Sequence, residues 1–384
     1  MQTESTIQKK HARTQLAGLL PAELEEVIAR FGEPKYRALQ IFSAIHSRGA
    51  DYAEGLTQIP ASLRNLISGE FEISLLQLVR TSVSEMHDTQ KFLFSLTRMP
   101  EVKIETVLIS EKGRNTVCVS TQAGCNVGCE FCATAKLGFR ANLTPGEICS
   151  QVYLVKKLSG ADVTNVVYMG MGEPFLNYDS VLRSLLLLTN EKGLSLPGRR
   201  ITVSTVGFTK KISRFADDIS HPENRSIRKV KLALSLHSTD NGIRESLIPA
   251  SSKNRLPDIY KELVYFYRKT GTKITYEYIH FPGINDKPND IKRLASLSRM
   301  LPCNINIIPF HPINSKLGGP LGALNGIAES DTKKLLSNHR LNDLIASLRN
   351  QNVVVNLRNS SGVDINAACG QLALAGERHQ SETQ

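Results

Sequence analysis

The spacing of apolar and polar residues divides the chain into three stretches. From about residue 16 to 73 the apolar positions recur with helical periodicity, and Pro21 and Pro60 each mark the start of an expected helix. From about 75 to 109 the period shortens to that of strands, with polar and apolar residues alternating over residues 91–96. Residues 1–15 are polar, and we expect them to be frayed.

Beyond residue 110 the pattern predicts strands and helices in alternation. A Thr-Pro-Gly-Glu capping box at residues 144–147 begins a helix that we expect to run to about Lys157. Strands that alternate with helices form parallel βαβ units, so the pattern indicates an α/β sheet, either open or closed into a barrel. Active sites in such folds lie at the carboxyl ends of the strands. The predicted strands are residues 116–120, 165–169, 201–206, 231–236, 274–280, 304–308 and 353–357.

The composition is that of a globular protein. The chain has 384 residues, of which 41% are hydrophobic and 22% charged, enough to bury a large core and too apolar for wholesale disorder. No apolar run approaches the roughly 20 residues that a membrane helix needs. The first residues lack the basic and apolar pattern of a secretory signal, so we expect a cytoplasmic protein without a membrane partner.

The net charge of +11 is carried entirely by residues 101–384. Residues 1–100 hold 11 basic and 11 acidic residues, and the rest of the chain holds 36 and 25. Such an excess favours an anionic partner, nucleic acid first, although charge alone fits a solvated basic surface equally well. Between residues 191 and 231 there are ten basic and four acidic residues. Candidates there for phosphate contacts are Arg199, Arg200, Lys210, Lys211, Arg225, Arg228 and Lys229.

The seven cysteines point to metal or redox chemistry rather than to a disulfide framework. Their number is odd, no secretory signal precedes them, and four of them fall between residues 118 and 132. Cys125, Cys129 and Cys132 have the spacing C-x3-C-x2-C on a loop after a predicted strand. Three thiolates this close can bind three irons of a cubane cluster and leave the fourth iron open to a cofactor or substrate. A structural zinc site is the alternative, but it needs a fourth ligand, and the chain has no second C-x2-C or H-x3-H pair.

With Phe131 directly before the last cysteine, this loop resembles the cluster-binding motif of radical S-adenosylmethionine (SAM) enzymes. The resemblance implies a [4Fe-4S] cluster whose open iron is chelated by SAM, which one electron from the cluster cleaves to a 5′-deoxyadenosyl radical. It also implies a set of SAM contacts near the ends of later strands. These are Gly172 and Glu173 in the segment 170–174, then Ser204, Ser235, Leu236 and His237, and finally His311, where the nearest relatives often carry Asn.

Further segments narrow the resemblance to the RlmN/Cfr family of RNA adenine methyltransferases. They are residues 32–37, 116–120, 169–174, 235–237 and the Ala-Ala-Cys-Gly-Gln-Leu sequence at 367–372, and the likeness runs from about residue 20 to 375. The implied fold is α/β, a partial (β/α) radical SAM barrel with a small N-terminal helical domain. The implied division is a flexible N-terminus (1–15), a helical RNA-docking domain (16–75), a strand-rich connection (76–110), the barrel with a methyl-carrying C-terminal segment (111–375) and a flexible tail (376–384).

The same resemblance assigns roles to three residues outside the cysteine loop. One SAM methylates Cys369, and the radical from a second SAM takes a hydrogen atom from that methyl group, so two SAM are used per turnover. The resulting carbon radical adds to the adenine, and Cys118 then attacks Cys369 to form a transient disulfide and release the base. Glu105, which by strand position alone would be an exposed residue, is the implied proton acceptor. Cys149 and Cys303 match no such role, and we interpret both as core residues.

Three functions stay open on the sequence. An RlmN-type enzyme methylates C2 of an adenine in 23S rRNA and also acts on transfer RNA, a Cfr-type enzyme methylates C8, and a non-catalytic iron–sulfur protein would only bind RNA. Pro174 and the segment 133–139 look more like RlmN. Either enzyme needs RNA whose target base is splayed out of its stack, together with an external one-electron donor.

Overall fold

The computed structural model describes residues 13–313, 315–326, 339–358 and 361–373. Residues 1–12 of the expected frayed N-terminus and the whole predicted tail, 376–384, lie outside the described residues. None of the helices in the described part of the chain combines the length and the apolar character that crossing a bilayer requires.

Three helices follow the N-terminus, as the apolar periodicity predicts: α1 (Pro21–Arg30), α2 (Tyr36–His46) and α3 (Ala61–Glu70). Two short parallel strands, β1 (Thr14–Gln15) and β2 (Phe71–Glu72), join the beginning of this region to its end. Thr14 and Gln15, which were expected to be frayed, are therefore held by backbone pairing.

Three long strands come next, β3 (Leu76–Val83), β4 (Thr89–Leu96) and β5 (Met99–Glu111), and they pair antiparallel. The last of them also pairs antiparallel with β6 (Arg114–Cys118). The stretch expected as a connection is thus part of the main sheet, and we call β3–β5 the antiparallel half.

The alternation over residues 91–96 predicts one buried and one exposed face for β4, and this is wrong. Lys91 and Ser95 are buried along with their apolar neighbours. The C-terminal segment, residues 361–373, reaches this strand, and Asn366 O accepts a hydrogen bond of 3.2 Å from Lys91 Nζ. Contact with a segment from the far end of the chain overrides the local pattern, which cannot indicate it.

From β6 onward every neighbouring pair of strands in the main sheet is parallel. The described residues form one ten-stranded sheet in the order β14-β13-β12-β11-β10-β9-β6-β5-β4-β3, and a small antiparallel pair, β7 (Gln122–Ala123) and β8 (Ala141–Asn142), stands apart from it. We call β6 and β9–β14 the parallel half. Its further strands are β9 (Asn165–Tyr168), β10 (Ile201–Thr205), β11 (Lys231–Ser235), β12 (Ile274–His280), β13 (Cys303–Pro309) and β14 (Val355–Leu357).

Helices connect the parallel strands, which confirms the predicted α/β alternation. The predicted capping box is present at the start of α5: Thr144 Oγ1 accepts from Glu147 N at 3.1 Å, and Glu147 Oε2 accepts from Thr144 N at 2.8 Å. The helix ends at Ser159, two residues later than expected. The helices are α4 (Ala133–Lys136), α5 (Pro145–Ser159), α6 (Tyr178–Thr189), α7 (Thr209–Ser220), α8 (Asn241–Leu247), α9 (Leu256–Thr270), α10 (Pro288–Met300) and α11 (His339–Arg349).

Candidate active site

A cavity opens at the carboxyl ends of the parallel strands, where the α/β pattern predicts the chemistry. It joins the loop of three cysteines to the ends of β9, β10 and β11, to the interior of β12 and to the C-terminal segment. The predicted site residues that line it are Cys125, Cys129, Cys132, Gly172, Glu173, Ser204, Ser235, His237 and Cys369.

The cysteine loop, residues 125–132, is held in a tight turn between β7 and α4. Gly124 has a φ of +71°, and a β-carbon there would collide with Gly138 O, so only glycine fits at the entrance to the loop. The Cys125 N–H donates to the same carbonyl over 3.2 Å. At the other end of the loop Phe131 packs edge-on against His237, with ring centroids 4.8 Å apart, and this contact fixes the loop against the end of β11.

The thiols of the cysteine loop have raised pKa values, which favours their protonated form. Burial raises the pKa of Cys125 to about 12 and also raises those of Cys129 and Cys132, and the neighbouring thiols add to the effect. Metal binding would therefore release protons. Among the described residues no three Cys, His, Asp or Glu side chains stand close enough to share a single ion. The donor set fits a cubane cluster for a different reason: three thiols of one short loop face one cavity.

Glu173 is oriented by the backbone around it. Its Oε1 accepts from Phe175 N at 3.0 Å and its Oε2 from Val206 N at 2.9 Å, while its own N–H donates to Gln122 Oε1 at 2.9 Å. The preceding Gly172 has a φ of +96°, and a β-carbon there would lie 2.5 Å from the side chain of Gln122. Burial raises the pKa of Glu173 to about 7, although both amides oppose the rise. A fixed, desolvated carboxyl of this kind is suited to accept an ammonium group.

Two serines and a histidine complete the wall formed by β10 and β11. The hydroxyls of Ser204 and Ser235 lie 3.3 Å apart at the ends of these neighbouring strands. Ile279 N donates to Nδ1 of His237 over 3.1 Å, so Nδ1 is the acceptor and the ring proton is on Nε2. Burial lowers the pKa of His237 to about 3, and the nearby Arg244 adds to this, so the ring is neutral at pH 7.

Two of the predicted SAM contacts do not line the cavity. Leu236 is fully buried, and its N–H donates to Glu277 O at 2.9 Å, so its side chain belongs to the core. His311 is 4% exposed, follows the end of β13 by two residues, and burial lowers its pKa to about 4. The roles of both residues stay predictions.

Hydrogen bonds from the far side of the cysteine loop anchor the C-terminal segment. Ala133 N donates to Gly370 O at 2.7 Å, and Thr134 Oγ1 donates to Leu372 O at 2.6 Å. Cys369 directly precedes the first of these anchor points, and it is accessible to solvent because it opens into the cavity. Burial raises the pKa of the Cys369 thiol, and the guanidinium of Arg358 opposes the rise.

An ion pair that the sequence does not indicate lines the cavity beside Cys369. Arg358 Nη1 lies 3.4 Å from Glu277 Oε2, and Asn306 Nδ2 donates to Glu277 Oε1 at 2.9 Å. Glu277 stands in the middle of the buried strand β12, and Arg358 directly follows β14. An acidic residue inside a predicted buried strand was the available signal, because such residues are rarely buried without a partner.

Cys118 ends β6 and does not line the cavity, although it is close enough to Cys369 to influence it. Burial raises the pKa of Cys118 to about 12, the Cys369 thiol adds to the rise, and Arg358 opposes it. The residue is thus a neutral thiol here, not the thiolate that attack on sulfur requires. All seven cysteines are free, so the structure contains no disulfide between Cys118 and Cys369. Cys149 is buried and Cys303 half-buried, and neither lines the cavity.

Glu105 is fully buried, which corrects the expectation of an exposed position on β5. Lys91 Nζ lies 3.1 Å from Glu105 Oε1, yet neither carboxylate oxygen accepts a hydrogen bond of good geometry from a described residue. The backbone of Glu105 is tied to the glycine-containing segment after β9, because Ser120 Oγ donates to Glu105 O at 2.6 Å and Met171 N donates to Ser120 Oγ at 2.9 Å. The carboxylate does not line the cavity.

Most of the candidate phosphate contacts lie on the edge of the sheet that is opposite to the cavity. Five of the seven precede β10 or β11 and so stand at the amino ends of these strands. Two stand at the start of α7, which follows the carboxyl end of β10. The first group is Arg199, Arg200, Arg225, Arg228 and Lys229, and the second is Lys210 and Lys211.

Comparison with known proteins gives a match over nearly the whole chain. Residues 119–295 match the family model of the Radical SAM superfamily. A Salinibacter ruber protein described as "Probable dual-specificity RNA methyltransferase RlmN" is 37% identical over 384 residues, 97% of this chain and 97% of its own. A Thermotoga neapolitana protein with the same description is 37% identical over 352 residues, 92% of this chain and 95% of its own.

A solved structure shows the same architecture. The crystal structure of a radical SAM methyltransferase from Sphaerobacter thermophilus matches with a TM-score of 0.83 and 37% sequence identity. The match covers 94% of this chain and 99% of that chain. The similarity therefore includes the antiparallel half and the helices before it as well as the strands around the cavity.

Proposed function

Because the chain belongs to the RlmN family of radical SAM RNA methyltransferases, we propose that it methylates C2 of one adenine in 23S rRNA and also acts on transfer RNA. The observation that carries this proposal is the meeting of the cysteine loop and Cys369 in one cavity. A cluster site alone would suit many radical enzymes, whereas a second, accessible thiol beside it suits a methyl carrier. The description of the relatives as dual-specificity enzymes supports two RNA substrates.

Membership of the family implies a [4Fe-4S] cluster and SAM. In our proposal Cys125, Cys129 and Cys132 hold the cluster and Glu173 accepts the ammonium of SAM, while Gly172, Ser204, Ser235 and His237 provide further contacts in the cavity. The resemblance alone adds Leu236 and His311, which do not line the cavity. When bound, the cluster and SAM supply a 5′-deoxyadenosyl radical, for which an external donor provides one electron. The chain contributes aromatic packing that excludes water from one side of the cavity. Phe131 lines the cavity and packs against Phe281 with ring centroids 5.5 Å apart, and Phe281 packs against Phe310 at 5.3 Å.

Cys369 carries the methyl group in this proposal. Its opening into the cavity supports the role, because a carrier must meet both the cofactor and the base. Arg358 supports it further, since a guanidinium that opposes the rise of the thiol pKa favours the thiolate that accepts a methyl group. Two SAM would be consumed per turnover, one to methylate the sulfur and one to activate the methyl group.

Cys118 releases the product in this proposal. After the carbon radical has added to C2, the adduct gives one electron to a one-electron acceptor and the C2 proton to Glu105, which leaves the adenine linked to Cys369 through a thioether. Attack by Cys118 on the Cys369 sulfur forms a disulfide and breaks the sulfur–carbon bond, the electron pair remains on the carbon, and a proton completes the new methyl group. A two-electron reductant then restores both thiols. The proximity of the two cysteines supports this order, and the raised pKa of Cys118 means that it must lose a proton first.

Glu105 accepts the proton that leaves C2. Its burial and its lack of a hydrogen-bond donor among the described residues support the role, because both carboxylate oxygens keep a free lone pair. Lys91 balances the charge at 3.1 Å. Because this carboxylate does not line the cavity, the adenine would have to enter deeply to reach it, which requires a base splayed out of its stack.

The N-terminal helices and the basic surface are our candidates for docking RNA. The helices contact the rest of the chain, since His46 Nδ1 and the hydroxyl of Tyr153 on α5 lie 2.6 Å apart in a buried hydrogen bond. Lys210 and Lys211 are the candidate phosphate contacts on the cavity side. A ribosomal substrate would also place the enzyme in the cytoplasm.

The proposal is tested with anaerobically reconstituted protein, SAM, a reductant and unmodified 23S rRNA or transfer RNA, followed by digestion and mass spectrometry. We expect 2-methyladenosine from the wild type. Cys369→Ala should yield none and keep the cluster's absorbance, whereas Cys303→Ala, a matched control outside the cavity, should remain active. Formation of 8-methyladenosine would reassign the enzyme to the Cfr type. An intact cluster without any methyladenosine would refute the RNA substrates.

A further inference from the structure

Arg244 is among the largest side chains that the fold buries completely, with 1% of its surface exposed. Its Nε donates to Leu236 O at 3.1 Å, and its Nη2 donates to Ser235 O at 3.0 Å and to Val206 O at 2.5 Å. Nη1 is equally buried and has no hydrogen-bond partner in the described part of the chain. No carboxylate of the described residues forms an ion pair with Arg244, so its positive charge is balanced only by backbone carbonyl dipoles.

The helix that carries Arg244 supports the cysteine loop. At the end of α8, Leu247 O accepts a hydrogen bond of 3.0 Å from Glu130 N, which lies between Cys129 and Cys132. The side chains of Cys129 and Leu247 belong to one buried apolar cluster. Val206 and Ser235, whose carbonyls accept from the guanidinium, line the same cavity as the three loop thiols. The fold thus fixes a cation on the backbone of the cavity that the cysteine loop lines.

Burying a cation without an opposite charge lowers the stability of the fold, so its presence calls for a functional explanation. Removing a charged group from water costs several kcal/mol unless an opposite charge compensates for it. Burial lowers the pKa of Arg244 to about 10, so the group nevertheless remains charged at pH 7. A cubane cluster held by three thiolates has a net negative charge and becomes more negative on reduction, and net charge is one of the properties that set a cluster's reduction potential.

We propose that Arg244 is the built-in countercharge of the cluster and raises its reduction potential, which eases reduction by the external donor. This rests on the proposed assignment of Cys125, Cys129 and Cys132 as the cluster ligands. The carbonyls of Val206, Ser235 and Leu236 hold the guanidinium in place, and none of them neutralises it. Arg244 is therefore a positioning residue that acts through the cluster, distinct from Arg358, whose charge is already compensated by Glu277.

The test is a potentiometric titration of the reconstituted protein, followed by electron paramagnetic resonance. For Arg244→Gln we expect the equilibrium constant for one-electron reduction to fall about tenfold, because a nearby positive charge favours the added electron. That is a shift of about 59 mV toward negative potential. Arg244→Lys keeps the charge and should stay close to the wild type. Lys253→Gln removes an exposed charge shortly after α8 and should leave the potential unchanged.

A second variant covers the case in which Arg244→Gln fails to fold. Tyr260 on α9 lies within electrostatic reach of Arg244, and Tyr260→Glu would supply a compensating carboxylate while all three hydrogen bonds of Arg244 remain. Its potential should shift in the same direction, and that of Tyr260→Gln should not. Wild-type potentials in both Arg244→Gln and Tyr260→Glu, with the cluster intact, would overturn the inference. A wild-type protein that binds no iron would refute the cluster assignment itself, a result that is distinct from an unshifted potential.

Discussion

The two halves of the main sheet place charged side chains at the site in different ways. In the parallel half, Glu173 follows the carboxyl end of a strand, and the backbone amides of Phe175 and Val206 hold its carboxylate at the cavity wall. In the antiparallel half, Lys91 and Glu105 lie in the interior of β4 and β5, pair with each other at 3.1 Å, and do not line the cavity. The first arrangement places a carboxylate in the cavity wall, whereas in our proposal the second acts on a base that enters further.

The difference follows from sheet geometry. The carboxyl ends of parallel strands lie at the same edge of the sheet. The residues that follow them can therefore be predicted to lie close together even when the pairing register is unknown. Antiparallel strands end at alternate edges, and which residues face each other depends on the pairing register, here Leu93 opposite Glu105 and Val107 opposite Cys118. β6 belongs to both arrangements, because it pairs antiparallel with β5 and parallel with β9.

The largest effect is expected from Cys118, at the end of this shared strand. With Cys118→Ala the thioether between Cys369 and the RNA cannot be resolved, so we expect a covalent protein–RNA adduct in place of multiple turnovers. The adduct should appear on denaturing gels as a species sensitive to both ribonuclease and protease. Cys149→Ala removes a buried thiol outside the cavity and should yield no adduct. Clean turnover by Cys118→Ala would overturn the proposed role of Cys118 in releasing the product.

The next effect concerns stability and belongs to the antiparallel half. Lys91→Met leaves the fully buried Glu105 without its ion-pair partner, which should lower the free energy of unfolding by about 3–5 kcal/mol. The double variant with Glu105→Gln removes both charges and should recover most of this loss. Urea denaturation of the protein without cofactors measures both. A loss below about 1 kcal/mol in the single variant would mean that the pair behaves like a surface ion pair, for which such values are usual.

The parallel half was also the part that the sequence could predict. The strand expected at 274–280 is β12 residue for residue, and the other six strands are displaced by at most two residues at either end. The radical SAM fold implied by the resemblance is confirmed. Spacing alone was sufficient to nominate the cysteine loop, because its three ligands are neighbours in sequence.

What the sequence did not reveal depends on contacts between distant segments. The burial of Lys91 requires the C-terminal segment, the Glu277–Arg358 pair joins residues that are 81 positions apart, and the burial of Arg244 arises because α8 packs beneath a loop more than 100 residues earlier in the chain. In each case the local sequence pattern predicts only an ordinary polar residue. Such residues are identified only when the pairing partners are known, and here the partners are brought together by the whole fold.

A smaller effect concerns Glu173 in the parallel half and depends on pH. In our proposal Glu173 must be ionised to accept the ammonium of SAM, and burial raises its pKa to about 7, so the protonated form increases as the pH falls below 7. We expect the Kd for SAM to rise up to about tenfold per pH unit below 7 and to level off above it, measured by calorimetry on the cluster-loaded protein. Glu173→Gln should bind weakly with no pH dependence between pH 6 and 8. His237 cannot cause the effect, because its pKa of about 3 keeps it neutral throughout.

The smallest expected effect concerns the contact between α5 and the antiparallel half. Glu147 accepts from the N–H of Thr144 at the start of α5 and also from Arg98 Nε at 2.7 Å, and Arg98 lies in the turn between β4 and β5. Thr144→Ala removes only the reciprocal bond to Glu147 N and a contact with Gln15, so the free energy of unfolding should fall by about 1 kcal/mol. Thr144→Ser keeps the hydroxyl and should unfold like the wild type. Methylation should be unaffected by either change, since Thr144 is remote from the cavity. A loss well above 2 kcal/mol in Thr144→Ala would show that the cap stabilises the docking of the antiparallel half on α5 as well as the helix, and would make the two halves one cooperative unit.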